Sequence, residues 1–410
     1  MPLPIRRIMR RRRTRLATVF VLALFGILNL VQIRPYLSQP AAEVTYRVWE
    51  RRENIYIASI HWNDEAILRS HWNEAVKNLA LALGRDNVFV AVYESGSWDG
   101  TKEALNELDE EMERSGIRRN ITLSRVTHLG EMSAEDRDIG WVDTPRGGKE
   151  LRRIPYLARM RNLALEPLRE LARLGITFDK VLFLNDVVML QWLTELWTND
   201  VLRLLDTNGG DFAAACSLDF SRPPLMYDTF ALRDAEGHEV LTKTWPYFRA
   251  RASRQAVLDN IPVPVTSCWN GMVAMPVKPF TSDPPLEFRG IPDSLAASHL
   301  EGSECCLIHT DNPLRDKKQT YVNPQVRVGY SGKAYDAVHR EVITRSFGSV
   351  FMALWNSRIR RWTTSPGLKE WIVRRRVDKW CRQGEEREEG GAVCLIDEMQ
   401  VLVGNGWAHV

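Results

Sequence analysis

Cysteine, histidine and net charge are all scarce in this 410-residue sequence. The six cysteines form no Cys-x-x-Cys pair and no Cys/His array at zinc spacing, which excludes the small zinc-stabilised classes. The formal net charge is only +3, and much of it sits in Arg6, Arg7, Arg10, Arg11, Arg12, Arg13 and Arg15. Without that block the chain is slightly acidic, so the basic footprint of a nucleic-acid partner is missing from its body. There is no internal repeat, which excludes a solenoid. What remains is ordinary globular composition, 44% hydrophobic and 26% charged, long enough for one large α/β domain or two smaller ones.

The run Leu16–Ile33 carries no charge. As a helix it spans roughly 27 Å, enough for a thin bilayer. The arginines before it stay cytosolic by the positive-inside rule. We expect a cytosolic tail (1–15), a transmembrane signal anchor (16–33), a stem with Pro35 and Pro40 (34–52), a folded body (53–345) and a C-terminal extension (346–410). A cleaved signal peptide is the rival reading, with a poor cleavage site at 38–42. All six cysteines lie beyond the span, where an oxidising setting permits disulfides, and Cys381 with Cys394 is a candidate pair. Asn120-Ile121-Thr122 is a glycosylation sequon at Asn120.

Strands are expected at 54–60, 87–93 and 121–126, with helices between them capped at Asn63 or Asp64 and at Asp99 or Thr101. This βαβαβ alternation implies a parallel sheet with right-handed crossovers. Residues 130–153 read as a loop and 152–174 as a helix. The apolar run Val181–Leu184 is a buried strand interrupted by Asn185 and Asp186. Further strands are expected at 212–218 and, at a sheet edge, at 321–330, with a helix over 191–205. Two polar groups at a buried strand's carboxyl end are costly without partners, and that end is where ligands sit in open α/β sheets. The plainer alternative is a strand-end turn.

After the second expected strand comes Glu94-Ser-Gly-Ser-Trp-Asp-Gly-Thr101, an acidic strand end leading into a helix start. It resembles the Asp-Asp-Gly-Ser-x-Asp-x-Thr signature of nucleotide-sugar glycosyltransferases of the glycosyltransferase A fold. Ala158-Arg-Met-Arg-Asn162 and Phe183-Leu-Asn-Asp-Val187 are similar to that fold's Ala-Arg-Asn helix and its Asp-x-Asp strand end. Tyr227-Asp-Thr-Phe230, Cys268-Trp-Asn-Gly-Met272, Glu304-Cys-Cys-Leu-Ile-His309 and Val322-Asn-Pro-Gln-Val-Arg327, in this order, resemble the fungal cryptococcal α-1,3-mannosyltransferase and capsule-associated protein family. The resemblance implies a mixed, mainly parallel glycosyltransferase A-type sheet flanked by helices, behind an N-terminal transmembrane helix. It implies a type II Golgi membrane protein with a lumenal catalytic domain. The reaction implied is mannose transfer from GDP-mannose to a mannose-containing acceptor through an α-1,3 link, with retention and a divalent metal, Mn²⁺.

Developing negative charge on a diphosphate leaving group calls for a hard cation on oxygen ligands and for arginines. Asp186 is the expected metal carboxylate, with His309 as a second candidate ligand. Glu94, Ser95, Asp99, Arg159, Arg161 and Asn185 are expected at the nucleotide sugar. Trp269, Asn270 and Asp228 are expected at the acceptor, and Glu304 is a catalytic candidate beside Asp186. In register with Asp-x-Asp, Asn185 and Val187 replace the two acids and Asp186 falls between them. That departure keeps a non-catalytic sugar-binding or scaffold member of the same fold as the alternative. A glycoside hydrolase would need two facing carboxylates, and the motif at Glu94 argues against it.

Overall fold

The computed structural model describes residues 3–37, 53–135, 137, 139–188, 194–343, 346–384 and 387–410. Its centre is a ten-stranded sheet. In chain order the strands are β1 (Ile55–His61), β2 (Val88–Glu94), β3 (Arg118–Leu123), β4 (Lys180–Leu184), β5 (Ala214–Arg222), β6 (Leu225–Met226), β7 (Arg233–Asp234), β8 (Val263–Ser267), β9 (Met272–Pro276) and β10 (Thr320–Gly329). The spatial order is β3-β2-β1-β4-β9-β5-β10-β8-β7, with β6 beside β5. Strands β1 to β4 are parallel, and β10 is parallel to β5. β9 enters between β4 and β5 in the opposite sense. The sheet is thus mixed and mainly parallel, as expected.

Residues of β4 are buried throughout, which is why Val181–Leu184 reads as an unbroken apolar run. Tyr56 and Val181 pack into one apolar layer, while Ile57 and Leu182 pack into the other. The helix Arg153–Arg173 covers the first layer through Ala158, Leu165 and Leu168. Trp72, fully buried, anchors the second.

Three expectations change. Residues 130–153 are not one loop: a hairpin pairs Trp141–Thr144 with Gly148–Leu151. β10 is not an edge strand but lies between β5 and β8. Pro324 is accommodated there because the register shifts between Val322 and Arg327. The disulfides are Cys216–Cys268 and Cys306–Cys394, leaving Cys305 and Cys381 as thiols, so Cys381 does not pair with Cys394. The expected helix over 191–205 is found as Thr194–Leu205, with 191–193 outside the described residues.

The C-terminal residues are woven into the body. Leu395–Ile396 pairs with Glu301–Gly302, and Gln400–Val403 pairs with Gly406–His409. Buried Arg233 donates to the carbonyls of Val393 (2.9 Å) and Cys394 (3.1 Å). The N-terminal helix Leu3–Leu37 contains an apolar stretch, Leu16–Tyr36, long enough to cross a membrane.

Candidate functional site

The parallel strands release their chain at one end of the sheet, where a cavity of about 1540 Å³ opens. His61 and Asp64 follow β1, Ser95 follows β2, and Asn185 and Asp186 follow β4 around it. The helix Arg153–Arg173 adds Arg153, Leu157 and Arg161, four residues apart and therefore on one face. Asp228, Trp269 and Glu304 line it from the later half of the fold, and Gln400 and Trp407 from the C-terminal segment.

Asn185 is a clamp. Its N–H donates to Gly271 O (3.0 Å), its carbonyl accepts from Trp72 Nε1 (3.1 Å), and its Oδ1 accepts from Trp269 Nε1 (3.3 Å). Gly271 has φ +79°, and a side chain there would collide with Val328 (2.4 Å), so glycine is required for this approach. With Asn185 fixed, Asp186 is turned to the cavity. Asp186 is partly open on that side and enclosed by protein elsewhere. Burial, and then the nearby Asp64 carboxylate, push it up to about 6, against the opposing pull of His61 and Arg161.

Asp64 precedes a helix but forms no side-chain cap with it. Its Oδ2 is bonded instead to His61 Nδ1 (2.9 Å) and accepts from the Trp62 N–H (3.2 Å). The far nitrogen of His61 meets Ser59 Oγ (2.8 Å), and that hydroxyl donates to Leu184 O (2.7 Å). The chain of bonds ties the end of β1 to the end of β4. Trp62 stacks flat on His128 at 4.1 Å, and burial holds His128 below the ordinary imidazole range.

On the opposite side, Glu304 begins the helix Glu304–Asp311 and is almost fully buried. Its Oε1 accepts from Arg161 Nε (3.0 Å) and from the Cys305 thiol (3.2 Å). The Arg161 guanidinium lies 4.6 Å from the Trp269 ring centroid. Trp269 itself packs on Phe183 and Phe288. Beneath Asp228 lies fully buried Asp219, which accepts from Asn270 Nδ2 (2.8 Å), Tyr330 Oη (3.2 Å) and the Asp228 N–H (3.2 Å). Burial, then Asp228, push Asp219 up to about 7. Asp228 Oδ1 accepts from the N–H groups of Phe230 (2.9 Å) and Ala231 (3.3 Å).

The fold therefore brings Asp186, Asn185, Ser95, Arg161, Asp228, Trp269 and Glu304 together on one cavity. Others expected there lie elsewhere. His309 does not line it: the ring is buried, and Nε2 is bonded to Cys268 O (2.7 Å). The cysteines near its ring are the joined pair Cys216–Cys268, with no thiolate to offer a metal. Glu94 is buried beneath the turn, accepting from the Ser97 N–H, with Lys102 Nζ at 3.8 Å. Asp99 accepts from the N–H groups of Glu65 (3.2 Å) and Thr101 (3.1 Å), a helix-start role. Arg159 is exposed and paired with Glu131 at 2.5 Å. Asn270 supports Asp219 from behind, and its Nδ2 also donates to Asp228 O (2.9 Å). Asn120 is exposed on edge strand β3.

Sequence reasoning overlooked Asp64, Arg153, Asp219 and Tyr330 at or beside the site. Arg153 was findable by stepping back two helical turns from Arg161. Asp219 and Tyr330 gave no local signal, since they meet only through the pairing of β5 with β10.

A family profile described as cryptococcal mannosyltransferase 1 matches residues 54–311. The chain belongs to that family. It is accordingly a glycosyltransferase, and the matched stretch holds every strand of the sheet except β10. Similar solved structures include the mannosyltransferase PcManGT from Pyrobaculum calidifontis in complex with GDP-Man and Mn²⁺. That likeness is 14% identical over 92% of this chain and 88% of that one, with a TM-score of 0.39. S. aureus TarS 1–349 is similar at 12% identity over 77% and 73%, TM-score 0.33. Glucosyl-3-phosphoglycerate synthase from Mycobacterium tuberculosis, with Mg²⁺ and UDP, is similar at 14% identity over 77% and 82%, TM-score 0.30. Among curated proteins no sequence matches the chain.

Proposed function

We propose that this glycosyltransferase moves mannose from GDP-mannose to a mannose-containing acceptor, forming an α-1,3 link with retention and with a divalent metal, Mn²⁺, bound. The donor and linkage rest on the family; the metal rests on the site. The observation that carries the reading is Asp186, a carboxylate facing the cavity at the end of β4 with a second carboxylate, Asp64, close enough to raise its pKa. Among the described residues no cation forms an ion pair with Asp186. Two oxygen donors with an uncompensated charge suit a hard divalent ion. Such an ion, when bound, neutralises the charge that builds on the diphosphate. Asp186 and Asp64 would hold it, and His309 is not part of that set.

The remaining chemistry belongs to the chain. Arg153 and Arg161 present guanidiniums to the same cavity and suit the diphosphate oxygens. Arg161 also fixes Glu304, whose Oε1 is fully engaged; Glu304 is then a group that orients the mannose, not a free base. As the bond from mannose C1 to the diphosphate breaks, the bond from C1 to the acceptor oxygen forms on the same face. The acceptor proton passes to the departing phosphate. Trp269 supports the sugar side through Arg161 and Asn185, and Asp228 offers acceptor contacts. We further propose that Leu16–Tyr36 anchors a type II Golgi protein with this cavity in the lumen.

The test is GDP release from GDP-mannose by the full chain, with and without Mn²⁺ and a mannoside acceptor. Metal-dependent release that Asp186→Asn abolishes supports the reading. Binding of GDP-mannose with no turnover under any metal would instead favour the non-catalytic member of the fold, for which the Asn185 and Val187 replacements speak.

A further inference from the structure

The hairpin of Gln400–Val403 and Gly406–His409 lies beyond the stretch that matches the family, yet it walls the cavity. Its register sets Gln400 opposite His409 and Leu402 opposite Trp407. Directly opposed residues share a face of a two-stranded ribbon, and side chains alternate along each strand. Gln400, Leu402, Trp407 and His409 therefore form one face, and all four line the cavity. Val401, on the other face, is fully buried, and its backbone bridges to Arg152.

The cavity face holds Arg153. Gln400 Oε1 accepts from Arg153 Nη1 (2.6 Å), and the guanidinium lies 4.5 Å from the Trp407 ring centroid. Each partner is itself fixed. Gln400 Nε2 donates to Glu398 Oε1 (2.6 Å), which leaves the carbonyl end of that amide for Arg153. His409 Nδ1 meets the same Glu398 oxygen at 2.5 Å, and the His409 ring stands edge-on to Trp407 with 4.7 Å between centroids. The contacts close a circuit from Arg153 through Gln400, Glu398, His409 and Trp407 back to Arg153.

Neighbouring arginines are held differently. Arg152 pairs with Asp293 and Glu301, Arg159 with Glu131, Arg161 with Glu304 and Arg169 with Glu287. Among the described residues no carboxylate forms an ion pair with Arg153. An amide oxygen and a ring face fix the direction of a guanidinium without neutralising its charge, and they leave most of its N–H donors for another acceptor. That charge is felt by Tyr227 and Asp228, both on the cavity.

We propose that Trp407 and Gln400 are positioning residues for the donor: they hold Arg153, its charge unanswered, aimed at the diphosphate of the sugar nucleotide. The C-terminal hairpin is then part of the donor site. The proposal rests on the reading of the cavity as a nucleotide-sugar site. A guanidinium held in advance spares the ordering of a long side chain on binding, an effect of about 2- to 10-fold in affinity.

The test is the Kd of GDP for the full chain at saturating Mn²⁺, measured by titration calorimetry. Arg153→Leu should weaken GDP by roughly 10- to 100-fold, the scale of losing a hydrogen bond to a charged group. Trp407→Leu and Gln400→Leu should each weaken it by about 2- to 10-fold, and Trp407→Phe, which keeps a ring face, should recover most of that loss. Gln400→Leu reaches the same guanidinium from the other side of the circuit, so it decides the matter even where Trp407→Leu fails to fold. The double variant R153L/W407L should bind GDP no more weakly than R153L, because both changes act through one guanidinium. Additive losses in the double variant overturn the positioning role, as does an unchanged GDP affinity in Trp407→Leu and Gln400→Leu. A raised KM for the mannoside acceptor at unchanged GDP affinity also overturns it and moves Arg153 to the acceptor side. Failure of the unaltered chain to bind GDP, with or without Mn²⁺, is a separate result that removes the nucleotide-sugar reading and this proposal together.

Discussion

Two acid pairs sit at the cavity end of the sheet, and they differ in what answers them. Asp219 is enclosed by Asn270, Tyr330 and the Asp228 backbone, while Asp228 accepts two backbone N–H groups of its own loop. Asp186 and Asp64 face the cavity; Asp64 is bonded to His61 and the Trp62 N–H, whereas among the described residues Asp186 has only its own backbone N–H. Burial forces Asp186 in the one pair, and Asp219 and Asp228 in the other, upward in pKa. Protein donors largely satisfy the first pair; the second keeps an unanswered charge on the open side. The difference separates a structural acid from one suited to hold a cation, although each pair taken by itself is simply two neighbouring carboxylates.

The comparison can be broken at several points. Asp186→Asn should lower turnover by roughly a thousandfold, the scale of losing several kcal/mol of charge stabilisation at the leaving group. GDP release at saturating Mn²⁺ measures it, and near-normal turnover would remove Asp186 from the site. Asp64→Asn should raise the Mn²⁺ concentration for half-maximal activity by about 10- to 100-fold, the usual scale for altering a metal's immediate surroundings. An unchanged Mn²⁺ titration would return Asp64 to a purely structural role. Asp219→Ala should act otherwise: it leaves Asn270 and Tyr330 without their acceptor and costs about 1–3 kcal/mol of stability. Urea unfolding reads that loss, while the Mn²⁺ titration of the folded fraction stays put.

The pH response is the finest of these distinctions. Because Asp186 titrates near 6 in the metal-free folded state, protons compete with the ion there, and the Mn²⁺ concentration for half-maximal activity should rise as pH drops below 6. A native carboxyl pKa raised above its unfolded value lowers stability once pH exceeds both, and has no effect below both. The cost therefore grows from about pH 4 to pH 6 and is full at pH 7. Asp186→Asn should raise stability at pH 7 by at most about 3 kcal/mol and change nothing at pH 4. Equal stability of the two proteins at pH 7 without metal would count against an unanswered charge at Asp186.

Much of the frame was readable because it is local. The run Val181–Leu184 is apolar since β4 is covered on both faces, and its interruption at Asn185 and Asp186 marks where that cover ends. The same local reading failed where a residue has two plausible partners. Asp64 precedes a helix and so resembles a cap, yet its carboxylate turns back to His61. Asp99 and Glu94 did the opposite, matching a nucleotide motif while serving the turn's own N–H groups. His309 was misread because nothing nearby in sequence reveals Cys268, 41 residues earlier, as the partner of its ring. The C-terminal wall is further still from local inference, since Gln400 and Trp407 meet Arg153 only after the whole sheet is built.

That wall has a covalent tether. The Cys306–Cys394 bond joins the helix that begins with Glu304 to the segment leading into Gln400 and Trp407, across 88 residues of chain. A bond closing so long a loop restricts the unfolded chain by about 4–5 kcal/mol in the chain-entropy account. The two sides of the cavity are in this way made to fold as partners, and the strength of their partnership depends on whether the surroundings oxidise thiols. Where the chain matures thus enters the shape of its active cleft as directly as any side chain does.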